Sequence, residues 1–308
     1  MRAVWIAIAL GACGDNTEPP RLEPLVALPA ATQDVVFDRD DVAVVRREDG
    51  TLQRFVDGRW RTVATLDVQP TDFGSDNDGT LLVMSTVPRM LYQLDGGVMR
   101  EVGGLVLANF VHMPMQVPSG NRYVKEIMGE QRSFVLSPGT STWVETPPMF
   151  VSRPVRAYDN TLYAAVASGV ERFATDGTRP LVVTCAALGK PSCTGLVLGG
   201  ADRGRVYVGD IAEPDVIVVN DGGLIERVAL PGRLVPVRIA AGQGLTVVLA
   251  KEPASNPALE TYSLFVLDDR GVVRIEAADD PPTSATRLVV DHRGTVHVAS
   301  QSLSTVVR

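Results

Sequence analysis

Cysteine, histidine and lysine are each nearly missing from this chain, with three of each in 308 residues. So few soft ligands leave little to hold a metal. His112, His292 and His297 share no ligand spacing, and Cys185 and Cys193 have no histidine near enough to complete a zinc site. His292 is expected in a turn, and His297 in a strand, packed rather than catalytic. With lysine confined to Lys125, Lys190 and Lys251, arginine carries the positive charge. The net charge of -7 argues against nucleic acid as a partner, because a phosphate-binding surface needs a basic excess. No Gly-x-Ser-x-Gly, phosphate loop or His-Glu-x-x-His occurs. Asp76-Asn-Asp-Gly opens like a calcium loop but lacks the closing glutamate, and reads as a β-turn. No cofactor and no metal are therefore implied. Helical periodicity is also lacking, since apolar residues do not recur at i, i+3, i+4 and i+7.

The N-terminus carries one charge, Arg2, before an uncharged run from Ala3 to Leu10. That run is far shorter than the roughly 20 residues of a membrane span and fits the apolar centre of a signal peptide. It leads into Leu10-Gly11-Ala12-Cys13, which resembles the bacterial lipobox. The resemblance implies that residues 1–12 are removed and that the Cys13 thiol takes a diacylglycerol. The alternative is a short buried N-terminal strand. Residues 13–21 are polar, with Pro19 and Pro20, and suit a tether that holds the folded part off a membrane. Gly14 stands where an Asp would resemble an inner-membrane retention signal, which favours the outer membrane. Export also gives Cys185 and Cys193 an oxidising compartment in which to pair, worth about 2–3 kcal/mol for so short a loop; two free thiols are the alternative.

What the chain has in abundance is short Val-rich runs separated by Gly, Asp and Pro. Leu81–Met84, Leu162–Val166, Val206–Val208, Leu245–Leu249 and Thr295–Ala299 each follow a turn signal such as Asp78-Gly79 or Arg293-Gly294. Self-comparison gives a repeat of roughly 38 to 49 residues with four strands per unit, the signature of a propeller blade. Units start near Gln33, Pro70, Ala108, Val151, Ser192, Leu234 and Thr283. The expected fold is all-β, one propeller over residues 22–308 with seven blades; six blades or a two-sheet sandwich are the alternatives. The seventh unit runs out of chain after three strands, and Leu22–Leu28 is the candidate for its fourth, because Val26-Ala-Leu-Pro repeats Val228-Ala-Leu-Pro. Pairing these ends leaves no open sheet edge.

The repeat, with Asp291-His-Arg-Gly-Thr-Val-His-Val in the last blade, resembles the NHL and SMP-30-like propellers. The SMP-30-like lactonases carry a Glu, Asn and Asp metal-ligand set in the channel, whereas the matching positions here hold Arg, His and Leu. A lactonase or hydrolase is therefore the second reading, behind a binding or scaffold module for an envelope protein or a small anionic ligand. First strands line a propeller channel, and alignment on the first turn brings Asp34, Asp72, His112, Arg156, Leu196, Arg238 and Arg287 to equivalent positions. Arg156, Arg238 and Arg287 cluster in the late blades and suit a carboxylate or phosphate, unless they only form a salt-bridged, water-filled channel. Lys251 to Tyr262 reads as an insertion between the second and third strands of blade six. With Glu213, Arg89, Glu252 and Tyr262 it forms a candidate partner-binding rim.

Overall fold

A computed structural model of the chain describes residues 18–66, 70–86, 89–95, 97–104, 111–126, 132–147, 150–202, 204–220, 223–268 and 271–308. Residues 1–17, with the expected signal segment and Cys13, lie outside them. Among the described residues the strands form seven four-stranded antiparallel sheets, the blades of one propeller, and the only helical element is the 3-10 turn Pro257–Leu259. The first strands are Thr32–Phe37, Pro70–Ser75, Val111–Gln116, Val155–Arg156, Leu196–Asp202, Val235–Gly242 and Arg287–Val290. They begin within a few residues of the expected unit starts.

Apolar runs, rather than alternation, mark the second strands of blades two, four, six and seven because these strands are covered on both faces by neighbouring sheets. Leu162–Val166 is buried along its whole length, as is Val296–Ala299. The core is accordingly divided: among the described residues there are seven apolar clusters, one at each junction between blades. Leu82 and Met84 of blade two meet Val124 and Phe134 of blade three, and Tyr163 and Val170 of blade four meet Val206 and Val208 of blade five. Each such side chain contributes about 1.5–3 kcal/mol when fully buried.

Ring closure takes the expected route. Arg21–Ala27 pairs antiparallel with Ser302–Val307 and completes blade seven, matching Leu22 with Val306 and Val26 with Leu303. The strand starts at Arg21, one residue earlier than expected. A bulge between Pro24 and Val26 leaves Leu25 55% exposed and reverses the facing of the strand residues beyond it. Leu22 therefore packs against the junction with blade six, whereas Val26 packs against the junction with blade one. One short strand thus seals both sides of the last blade.

The insertion in blade six differs from expectation. Lys251 pairs with Tyr262 and Glu252 with Thr261, so the hairpin is longer and only residues 253–260 project. Ladder bonds and the Lys251–Glu260 ion pair (2.7 Å) favour extension of the strands over an open loop.

Candidate functional site

Each first strand runs from one face of the ring towards the other, so residues at its start crowd the mouth of the channel. In blades one, two and six the same device presents a charge there. The register slips by one residue between Thr32 and Asp34, between Pro70 and Asp72, and between Pro236 and Arg238. Such bulges re-aim the next side chain. Asp34 and Asp72 then each accept the N–H of the following residue, at 3.0 and 2.9 Å.

A cavity of about 390 Å³ opens at this mouth, lined by Asp34, Arg153, Arg156, Arg238 and Arg287, with Leu196 among its apolar residues. Arg287 Nε lies 3.9 Å from Asp34, and Arg287 Nη1 donates to the carbonyl of Ala285 at 2.7 Å. Arg238 Nε donates to the carbonyl of Thr286 at 3.0 Å, while its terminal nitrogens have no hydrogen bond among the described residues. Arg153 bridges Asp72 at 2.5 Å and donates to the Phe73 carbonyl at 2.9 Å. Four guanidinium groups and the Asp34 carboxyl line the cavity, with Asp72 paired to Arg153 beside it, so the mouth is in excess of positive charge within a chain of net charge -7. Burial, and then the neighbouring Arg287, lowers the Arg238 pKa to about 10, with Asp34 pulling the other way. The Asp34 carboxyl is raised above its ordinary range by burial, with Asp72 adding and Arg153, Arg287 and Arg46 opposing. Arg238 and Arg287 therefore repel one another across the mouth.

Arg156 lies deeper and is largely committed to the wall. It donates to Ser75 Oγ at 3.2 Å, to the Asn160 carbonyl at 3.3 Å and to the Gln116 carbonyl, and burial lowers its pKa to about 10. His112 falls in the first strand of blade three, but its side chain lies outside the described residues, as does that of Arg89. Arg153 was not among the sequence candidates. It sits in the connection before the short first strand of blade four, and a comparison of strand positions alone passes over it.

A second chamber of about 220 Å³, which shares Arg156 with the first, is lined by Val36, Phe37, Phe73, Leu81, Val289 and Val290 and by the polar residues Ser75, Asn160, Asp291 and His292. His292 reaches from blade seven to Gly79 of blade two, where the Cβ of any other residue would collide with the imidazole ring; Gly79 also has φ +84°. His297 is buried between Asp291 (3.3 Å) and Thr305 (3.2 Å), stacks on Phe37, and burial lowers its pKa.

Most rim candidates are engaged within the chain. Lys251 and Tyr262 both bind Glu260, at 2.7 and 2.9 Å. Glu213 pairs with Lys190, which also holds Asp210 at 2.8 Å. Burial opposes the Lys190 charge, but these two carboxylates outweigh it and raise its pKa. Glu252 is exposed at the end of its strand. Cys185 and Cys193 are bonded, with Cα atoms 5.5 Å apart, and enclose Lys190 in their loop.

Comparison with known proteins places this geometry in a wide structural group. The likeness is one of fold. A virginiamycin B lyase from Staphylococcus aureus superposes with a TM-score of 0.65 at 12% identity, over 94% of this chain and 99% of that one. BamB from Moraxella catarrhalis gives 0.55 at 15% identity over 93% and 92%, and YCF48 bound to D1 peptide gives 0.59 at 14% over 95% and 96%. No family model and no curated protein matches the sequence. These neighbours include a lyase and a protein bound to a peptide, so the fold does not choose between catalysis and binding.

Proposed function

We propose that the chain is an exported binding propeller, anchored to the cell envelope through a lipid on Cys13, that captures a small organic or inorganic anion at its cationic channel mouth. The observation that carries this is the Arg238 guanidinium: half-buried, beside Arg287, with its terminal nitrogens unpaired at the opening of a cavity. Guanidinium groups in such settings take carboxylate or phosphate with charge-assisted hydrogen bonds. The outer membrane is the expected anchor site because Gly14 follows the cysteine.

Thermal unfolding in rising phosphate or succinate tests the site. The melting temperature should climb with either anion, and Arg238→Leu should abolish the climb; at an anion concentration 100 times the Kd the stabilisation is about 2.7 kcal/mol. A melting temperature indifferent to both anions refutes the proposal. Anchoring is tested separately: mass spectrometry of the membrane-extracted chain should find a diacylglyceryl group on Cys13, and Cys13→Ala should release the protein from membranes.

A further inference from the structure

Taking the anion site above as given, we infer that its anion is a carboxylate side chain on an extended segment of a partner protein, whose neighbouring apolar residues rest on Ile211 and Leu259. Six large apolar side chains are strongly exposed among the described residues. Of these, Leu25, Val98, Val144 and Leu181 lie on the outer strands of four different blades. Ile211 (53% exposed) and Leu259 (68%) stand instead in loops that join second to third strands, on the face where the first strands begin. That is the face of the cationic mouth. The two belong to adjacent blades, five and six, and the surface between them is continuous: the Leu230 N–H donates to the Pro214 carbonyl at 2.8 Å, and Val235 pairs with Lys251.

The mouth lies within reach of both loops. Asp210, beside Ile211, pairs with Leu196, which lines the cavity together with Arg238 and Arg287. Tyr262, at the base of the other loop, is near enough to Arg238 to favour its charge. A rim one strand out and two or three residues up stands about 10 Å from the mouth, the span of about three extended residues of a peptide. Both loops are also held in place before any partner arrives. Lys251 and Tyr262 bind Glu260, Asn256 Oδ1 accepts the Ala258 N–H at 3.0 Å, and Lys190, inside the disulfide loop, holds Asp210 and Glu213. Little ordering is then left to be done on binding. The same pairs neutralise the acids of the loops except Glu252, which Arg233, exposed in the loop between them, offsets. An acidic segment therefore meets the arginines without local repulsion, and its apolar neighbours cover side chains that a free phosphate or dicarboxylate would leave in water.

Fluorescence anisotropy of a dye-labelled, C-terminally amidated peptide, Glu-Glu-Ser-Gly-Leu-Leu, and of its reversed sequence tests this on the full chain. One of the two should bind; glutamines in place of the glutamates should weaken it at least ~10-fold, and serines in place of the leucines ~5- to 10-fold. Ile211→Ser combined with Leu259→Ser should cost the same ~5- to 10-fold and make the leucine-to-serine change in the peptide silent, while phosphate still raises the melting temperature. Arg238→Leu should abolish both peptide binding and the phosphate response. Absence of binding by both peptides, or an affinity indifferent to the leucines and to the two rim substitutions, overturns the peptide partner; a retained response to phosphate then leaves the anion site standing. Binding to phosphatidylglycerol vesicles that is lost with the rim substitutions, without binding of either peptide, overturns it in favour of a membrane surface. Failure of phosphate to raise the melting temperature overturns the anion site and this inference with it.

Discussion

Removing residues 1–27 deletes the closing strand and should undo the ring. Six residues of that strand have partners on Ser302–Val307, which corresponds to about six ladder hydrogen bonds and roughly 3–9 kcal/mol net. Leu22 and Val26 also leave two blade junctions, adding about 1–3 kcal/mol. Set against a typical total of about 5–15 kcal/mol, the loss takes most of the stability. A protein that still folds should melt at least ~10 °C lower. The control is a chain starting at Glu18, which keeps the strand and should melt like the full-length protein. Tryptophan emission reports the event locally, because Trp60 Nε1 donates to the Ala27 carbonyl at 3.0 Å and stacks against Phe55. Its emission should shift to the red in the shorter chain only. Identical melting of the two truncations would refute the claim that closure depends on this strand.

Blade two should make stability depend on pH. Asp76 and Asp78 share the Thr80 N–H; burial, then the hydrogen bond to Asp78 and its charge, raises Asp76 from 3.8 to about 7, while Asp78 is lowered by the same contact. A carboxyl raised in the folded state binds its proton more tightly there than when unfolded, so its contribution is full below pH 4 and is lost as pH climbs to about 7. The loss is at most about 4 kcal/mol, and about half that with solvent screening around the exposed Asp78. In blade one the equivalent pair, Asp38 and Asp40, is neutralised by Arg54 at 2.5 and 2.7 Å, where blade two has Gln93. Gln93→Arg should therefore flatten the slope between pH 5 and 7.5 in urea melts, and an unchanged slope would argue against the pair as its source. Replacing Cys185 and Cys193 with serine should cost about 2–3 kcal/mol by chain entropy, seen as a lower urea midpoint with unchanged m-value. Lys190→Met leaves Asp210 without its cation and Glu213 with only Arg227, at 3.8 Å, and because both carboxylates are partly exposed it should cost about 1–3 kcal/mol; a midpoint within error of the parent protein would show the Lys190 pairs to be dispensable.

Much of the fold was legible because a blade is a local object. Each hairpin is set by its own turn residues, and most second strands announce their double burial as an apolar run, so the repeat and the closing strand could be read by comparing one unit with the next. The mouth was only partly legible. Asp34, Arg238 and Arg287 follow from repeat alignment, because each stands at or near the start of a first strand. Arg153 and the Glu260 partnership of Lys251 and Tyr262 did not, because connections between strands carry no repeat to align.

The sequence by itself determined the four-stranded repeat, the pairing of its two ends and the sparsity of catalytic groups, all properties of short chain segments or of composition. The tertiary structure alone decided which charges meet at the mouth, that Leu22 and Val26 face opposite junctions, and that Arg156 borders a second chamber lined from blades one, two, four and seven. Those features join side chains from blades far apart in the chain, and a one-residue bulge is enough to reverse the face a strand presents, so only the closed ring brings them together.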